Sequence, residues 1–324
     1  MTRVAIVGAG VMGCATAWAL REQGADVTVY EQFELDHTRG SSHGRSRIFR
    51  VAYPDAAWVH LAQEAYGGWR DLERQSGVEL LGLYGLVELA ADPSLTSAQA
   101  LDECGVRYRM LDAAEARALG AVPPEGWSAL FLEDAGIVRS DLARHAFLNV
   151  AGVRVETDTR VESVDDLDAD AVVVTAGAWV GRLFPDVPVR VTRETVAFFR
   201  HDGSPLPSVV DLNPGTGGHS MYALHDPVHG LKAGAHHAGA EADPDAEAAA
   251  DPAIVERIAA WVGERFPGVA PEPVEVDACL YTSTSDESFV CERRGRVVVG
   301  SPCSGHGFKF APAVGRQLAA LALQ

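Results

Sequence analysis

Only two lysines occur in this chain of 324 residues, which otherwise uses arginine for positive charge. Lys232 lies in Gly230-Leu231-Lys232-Ala233-Gly234 and Lys309 in Ser304-Gly305-His306-Gly307-Phe308-Lys309-Phe310. A lysine kept among apolar neighbours is suited to hold an anion, or to stabilise one as it forms. Arg39, Arg45, Arg47 and Arg50 crowd the segment from His37 to Arg50, and a guanidinium can grip a carboxylate through two parallel hydrogen bonds. The third cluster opens the chain. Val4-Ala5-Ile6-Val7 leads into Gly8-Ala9-Gly10-Val11-Met12-Gly13, and Glu31 follows. Gly8 and Gly10 allow backbone N–H groups to approach a pyrophosphate, Gly13 lets helix and strand pack closely, and the helix N-terminus favours negative charge. Glu31, closing the strand Val27-Thr28-Val29-Tyr30, is placed to accept the hydroxyls of an adenosine ribose. This spacing predicts a bound dinucleotide without saying which one.

The elements that position these groups are those of an α/β protein. A helix is expected from about Val11 to Gln23, stopped at Gly24, and another around Ala57–Gln75. Leu80–Ala90 reads as strands, Asp112–Leu119 as a short helix, and Ser140-Asp141 as the cap of a helix through about Val150. Strands are expected at Val153–Thr157 and Arg160–Val164. Ala171–Thr175 reads as a further parallel strand of the nucleotide sheet, returning to the ligand at Gly177. Arg190–Phe199, Met221–Ala235 and Val274–Tyr281 suggest a second, mostly antiparallel sheet; a strand at Arg296–Val299 and a helix after Gly307 close the chain. The expected division is a discontinuous Rossmann-like domain (1–76, 137–190 and 285–324) and a substrate domain (77–136 and 191–284).

Composition narrows the function. The net charge of −18 argues against nucleic acid and anionic membrane surfaces as partners. No apolar stretch is long enough to span a bilayer, and Met1-Thr2-Arg3 runs directly into the first strand, so no signal peptide is expected. Cys14, Cys104, Cys279, Cys291 and Cys303 form no CxxC pair and are odd in number, which suits a reducing, cytoplasmic setting without a zinc site. His236-His237 has no acid or cysteine at ligand spacing and is not read as a metal site.

Four blocks occur in order over nearly the whole chain: His43-Gly44-Arg45-Ser46-Arg47-Ile48-Phe49-Arg50, Gly230-Leu231-Lys232, Cys279-Leu280-Tyr281-Thr282, and Ser304 to Phe310. Together they resemble the monomeric sarcosine oxidase and N-methyltryptophan oxidase group of D-amino-acid-oxidase-like flavoenzymes. The resemblance implies FAD rather than NAD. It also implies oxidation of a secondary amine bearing a carboxylate to an imine, with O2 reduced to hydrogen peroxide; a dehydrogenase using another electron acceptor is the alternative. It matches Lys232 to an oxygen-activating lysine, Arg50 to an arginine that pairs with the substrate carboxylate, and Lys309 to a lysine close to both the flavin and that carboxylate. His306 and Tyr281 become walls of the amine site, with His236 and Tyr222 as further wall candidates. Cys279 matches a cysteine joined to the flavin through a thioether, Cys303 being the rival. Arg47 would stand against the flavin ring, and Gly305–Gly307 would present N–H groups to it. Ser41, His43, Val161, Gly177 and Phe308 complete the expected cofactor contacts. A monomer or weak homo-oligomer is expected. The stretch Thr282-Ser283-Thr284-Ser285-Asp286-Glu287-Ser288-Phe289 departs from the group's usual Thr-Pro-Asp-Glu-His-Phe.

Overall fold

The computed structural model describes residues 1–212, 219–247 and 249–324. A six-stranded sheet runs in the order Val290–Arg294, Val297–Ser301, Ala171–Val174, Arg3–Val7, Asp26–Tyr30, Arg154–Glu156. Its strands are parallel except for the terminal Val290–Arg294 hairpin partner. Valines and isoleucines buried on both faces explain why the central strands read as continuous apolar runs rather than alternating ones. The helix Val11–Glu22 is buried from Val11 through Leu20, as a helix apolar all round must be. It packs against the helices Ser140–Ala151 and Ala311–Ala322. A Cβ on Gly315 would fall 2.7 Å from the Ala15 carbonyl carbon, so glycine there sets how closely the first and last helices approach. Trp18, Trp69 and Phe147 fill the layer behind, fully buried. Truncating a buried aromatic of this kind to alanine costs about 3–5 kcal/mol.

A second, nine-stranded sheet carries the expected antiparallel pairs. Arg190–Arg200 lies between Gly230–Ala235 and Glu275–Ser283, and Met221–Asp226 pairs with Gly230–Ala235. One pair, Leu86–Ala90 with Ser208–Asp211, is parallel. A small third sheet joins Arg47–Phe49, Gly136–Val138 and Leu81–Gly82, and so bridges segments the sequence assigned to different domains.

Two local expectations are corrected, and one strand is added. Residues 160–163 form no strand: the chain turns at Asp158 (φ 51°), and Thr159 N–H donates to the Glu31 carbonyl, carrying the backbone across the strand ends. Ser140 is not a cap; it starts the helix, and its hydroxyl donates to the Gly44 carbonyl. The strand Val290–Arg294 went unpredicted because Cys-Glu-Arg-Arg on an exposed edge shows no apolar alternation. Among the described residues no helix is long and apolar enough to cross a membrane.

Candidate active site

A cavity of about 630 Å³ runs from the first strand-to-helix turn to the last. At one end, Gly8 adopts φ 100°, and a Cβ there would lie 2.5 Å from the Thr175 carbonyl oxygen. A Cβ on Gly13 would lie 1.9 Å from the Gly8 oxygen, so any side chain would push helix and turn apart. Gly10 precedes the helix and has no side chain to cap it; the Val11 N–H donates to the Ser42 hydroxyl at 3.0 Å, and this helix N-terminus faces the cavity. Glu31 accepts the Ala9 N–H at 2.8 Å and the Phe33 N–H at 3.1 Å. Burial pushes its carboxyl up, but His37 and these two N–H groups outweigh that and hold it below the ordinary range. His37 Nε2 lies 3.5 Å from Oε1 as a third partner, and because a carboxylate has about four acceptor positions, room remains for a ligand hydroxyl. The acid therefore shapes the turn as well as facing the ligand. Val161 and Gly177 line this same end.

The arginine-rich loop divides into two roles. Arg39 lies over Phe33 and Arg45 pairs with Asp226 and Glu275, and neither lines the cavity. Arg47 and Arg50 do line it. Arg47 donates to the carbonyls of Ser46, Ser41 and His43 at 2.9, 2.9 and 2.6 Å, so it locks the loop while its charge remains at the wall. Ser41 donates to the Leu280 carbonyl. His43 Nε2 sits 3.2 Å from Asp277, and its buried Nδ1 has no partner among the described residues. Cys279 faces this wall from the strand Glu275–Ser283. Burial pushes its thiol up, against the downward pull of Arg47 and Lys232. Cys303 also lines the cavity, with its sulfur 3.4 Å from the Thr282 N–H.

Both lysines point inward. Lys232 is 6% exposed, lies over the Phe198 ring and reaches to 3.5 Å from the Ser46 carbonyl. Burial first, then the positive charge of Arg47, brings its ammonium down to about 7. Lys309, equally buried, donates to the Tyr53 hydroxyl at 2.9 Å and to the His306 carbonyl at 2.8 Å. Burial and Arg50 drive it well below its ordinary value. His306 Nε2 is 3.1 Å from the Glu287 carbonyl, which can only accept, so that nitrogen carries the proton. Nδ1 then accepts from Tyr53 at 3.3 Å. A directed chain results, Lys309 to Tyr53 to His306 to Glu287. Burial and Lys309 push His306 down to about 3, and burial pushes the Tyr53 phenol up to about 12, so both stay neutral near pH 7.

Arg50 donates through Nη1 to the Ala52 carbonyl at 2.7 Å and to Glu88 at 3.1 Å. Glu88, fully buried, also accepts from the Ser97 N–H and hydroxyl. Tyr281 and Tyr222 are linked by a side-chain hydrogen bond on the opposite wall, and burial raises both phenols. Gly305, at φ 72°, admits Tyr281: a Cβ there would lie 2.3 Å from its ring.

The structure thus gathers Lys232, Arg50, Lys309, His306, Tyr281 and Cys279 around one cavity with Phe308, Gly305 and Gly307. One expectation fails. The N–H groups of His306 and Gly307 both donate to the Cys303 carbonyl, so they are not free to face a ring edge. A second concerns His236-His237, whose acid partner Glu287 is remote in sequence but adjacent in space. Tyr53, Trp58 and Glu88 were missed. Tyr53 and Trp58 follow Arg50 by three and eight residues, but no local pattern marked them as neighbours of Lys309 and His306.

Residues 3–321 match the profile of the family described as DAO, FAD dependent oxidoreductase. The chain belongs to this family. The oxidoreductase is 30% identical over 360 residues to the peroxisomal sarcosine oxidase of Mus musculus, covering 98% of this chain and 91% of that one. It is 31% identical to the monomeric sarcosine oxidase of Bacillus sp. (strain B-0618), covering 99% and 92%. Its fold matches the open form of NikD, an unusual amino acid oxidase essential for nikkomycin biosynthesis, at a TM-score of 0.86 and 24% identity, covering 100% and 95%. The residues present fit FAD. Gly8 and Gly13 have no room for a Cβ, the helix N-terminus lines the cavity, and the cavity continues to a second end lined by Arg47, Arg50 and the two lysines.

Proposed function

We propose that this FAD-dependent oxidoreductase oxidises a secondary amine carrying a carboxylate, of the sarcosine, N-methyl amino acid or cyclic imino acid type. Its products are the imine and, with O2 as acceptor, hydrogen peroxide. One observation carries the reading: Arg50 and two buried lysines converge on the cavity whose far end is the dinucleotide turn. Gly8, Gly10 and Glu31 would hold the pyrophosphate and ribose, Val161 and Gly177 the adenosine end, and Ser41, His43, Arg47, Gly305, Gly307 and Phe308 the ring. FAD supplies the two-electron acceptor for the carbon–nitrogen bond and passes those electrons on. In this reading the domains divide at 1–76, 137–190 and 285–324 against 77–136 and 191–284, which the separate membership of the two large sheets supports.

Arg50 and Lys309 bind the substrate carboxylate. Nη1 of Arg50 is committed to Ala52 and Glu88, which turns its remaining donors to the ligand. Neighbouring positive charge favours the neutral form of the substrate amine, so no dedicated base is needed to remove its proton. Tyr281, Tyr222, His306 and His236 wall the amine and exclude water. Lys232 keeps a positive charge where O2 takes up electrons. Cys279 is the residue for a thioether to the flavin, supported by its place on the wall beside Arg47 and Lys232. A cytoplasmic location follows from the cysteine usage.

Anaerobic addition of sarcosine, larger N-methyl amino acids and cyclic imino acids to the yellow holoenzyme tests the reading. One class should bleach the flavin, and air should restore the colour with one peroxide per amine consumed. Failure of every amine to bleach it would overturn the proposal. Bleaching that air does not reverse would transfer it to a dehydrogenase with a different acceptor.

A further inference from the structure

His236, His237 and Glu287 each bring one ligand atom to within 4.8 Å of the others. The two histidines follow the strand Gly230–Ala235, and Glu287 sits in the connection between Glu275–Ser283 and Val290–Arg294. His237 Nε2 lies 3.2 Å from Glu287 Oε1, and His236 Nε2 lies 4.0 Å from Oε2. The two imidazole centroids lie 4.2 Å apart, with the ring planes tilted by 55°. His237 Nε2 is a buried atom whose polar neighbour is the Glu287 carboxylate. The chain thus holds two imidazole nitrogens and a carboxylate around one point.

We propose that His236, His237 and Glu287 bind a divalent transition metal ion of the imidazole-preferring class, with Zn2+ as its representative. Two histidines and one carboxylate with an open fourth position form a known donor set for this ion. Ligand atoms about 2.0–2.2 Å from a tetrahedral zinc stand roughly 3.3–3.6 Å apart, so the groups need only a small inward movement. Calcium and magnesium, which take oxygen ligands, are not suited to two imidazoles.

Nearby positive charge does not forbid a cation here. Arg50 is countered by buried Glu88, and Glu287 brings its own negative charge to the cluster. The sequence hid this arrangement because the acid lies fifty residues beyond His237. Since His236 and Glu287 line the cavity while His237 does not, a bound ion fixes two wall groups and obstructs the amine-facing end. Metal binding therefore acts as a reversible block on turnover. The binding claim is independent of the proposed amine chemistry; only the inhibition rests on it.

The test is competition between the purified holoenzyme and a chromophoric chelator for Zn2+. Wild type should withdraw one Zn2+ per chain, and His237→Gln and Glu287→Gln should each weaken that withdrawal at least tenfold while keeping full flavin content. A His60→Gln control removes the exposed Cys104–His60 pair, whose atoms are 3.6 Å apart, and should change nothing. Wild type that fails to compete, or His237→Gln and Glu287→Gln that compete equally well, overturns the site. So does loss of binding in His60→Gln alone. With the substrate found by the bleaching experiment, Zn2+ should inhibit wild type at least tenfold more strongly than His237→Gln. Equal inhibition of the two overturns the block while leaving the amine chemistry standing.

Discussion

Glu88 Oε1 accepts a hydrogen bond from Arg50 Nη1 at 3.1 Å, so the cavity-lining arginine proposed to hold the substrate carboxylate is tethered from behind by a fully buried acid. The tether fixes which guanidinium nitrogens are left for a ligand. Lysine offers a single ammonium and cannot serve acid and ligand with the same geometry. Arg50→Lys is expected to weaken binding of a carboxylate inhibitor, read from the flavin absorbance change on titration. One charge-assisted hydrogen bond is worth about 1.5–3 kcal/mol, or roughly a 10- to 150-fold weaker Kd. An unchanged Kd would take Arg50 out of the carboxylate site.

Lys232 gives the pH dependence its sign. Burial and Arg47 bring its ammonium down to about 7, so the positive form dominates below that value and is lost above it. Reoxidation by O2 should be fastest at low pH and should fall about tenfold per unit above pH 7, until it meets the rate of Lys232→Met. Flavin reduction by the amine should be far less affected by that substitution, and stopped-flow measurement of the two half-reactions separates them. The same shift acts on stability. Between pH 7 and the ordinary lysine range the unfolded chain keeps a proton that folded Lys232 releases, so this residue's contribution rises with pH across that window.

These two cases show what the sequence made legible. Lys232, Lys309 and the opening glycines stood out because rare or conformationally special residues sat inside runs whose element type was clear. The strand, turn and helix at Val4–Leu20 formed as read, since local apolar pattern and the needs of Gly8 and Gly13 agree. Glu88, Tyr53 and Glu287 were invisible for the opposite reason. Tyr53 meets Lys309 across 256 positions, and Glu88 reaches Arg50 only because the sheets bring their strands together. Such pairings are set by topology, which no local period encodes. The His306 and Gly307 N–H groups illustrate the same limit: their capture by Cys303 depends on a tight turn at Ser304 and Gly305, both at positive φ.

Cys279 should leave a covalent signature. Acid denaturation of wild type is expected to keep the colour with the protein, and its intact mass should exceed that of the chain by one FAD. Cys279→Ala should release the flavin into the supernatant while Cys303→Ala retains it. Because the Cys279 thiol is raised by burial and lowered by Arg47 and Lys232, removing Arg47's charge should slow attachment during reconstitution of the apoprotein. A wild-type mass equal to that of the bare chain excludes the link.

Gly13 tests the nucleotide cradle without touching a charged group. A Cβ at this position would lie 1.9 Å from the Gly8 oxygen and 2.8 Å from the Thr175 hydroxyl, far inside contact distance. The turn would have to shift away from the helix, and the N–H groups at Gly10 and Val11 would move with it. Gly13→Ala is therefore expected to purify with little or no flavin, measured as the ratio of flavin to protein absorbance, and to unfold at lower denaturant concentration. Overpacking of this kind costs about 1–3 kcal/mol. Gly181→Ala is the matched control, because a Cβ there meets nothing within 4 Å and the helical backbone favours alanine. It should keep its flavin and lose no stability. If Gly13→Ala were as yellow and as stable as Gly181→Ala, the close approach of turn and helix could not be what holds the cofactor's phosphates.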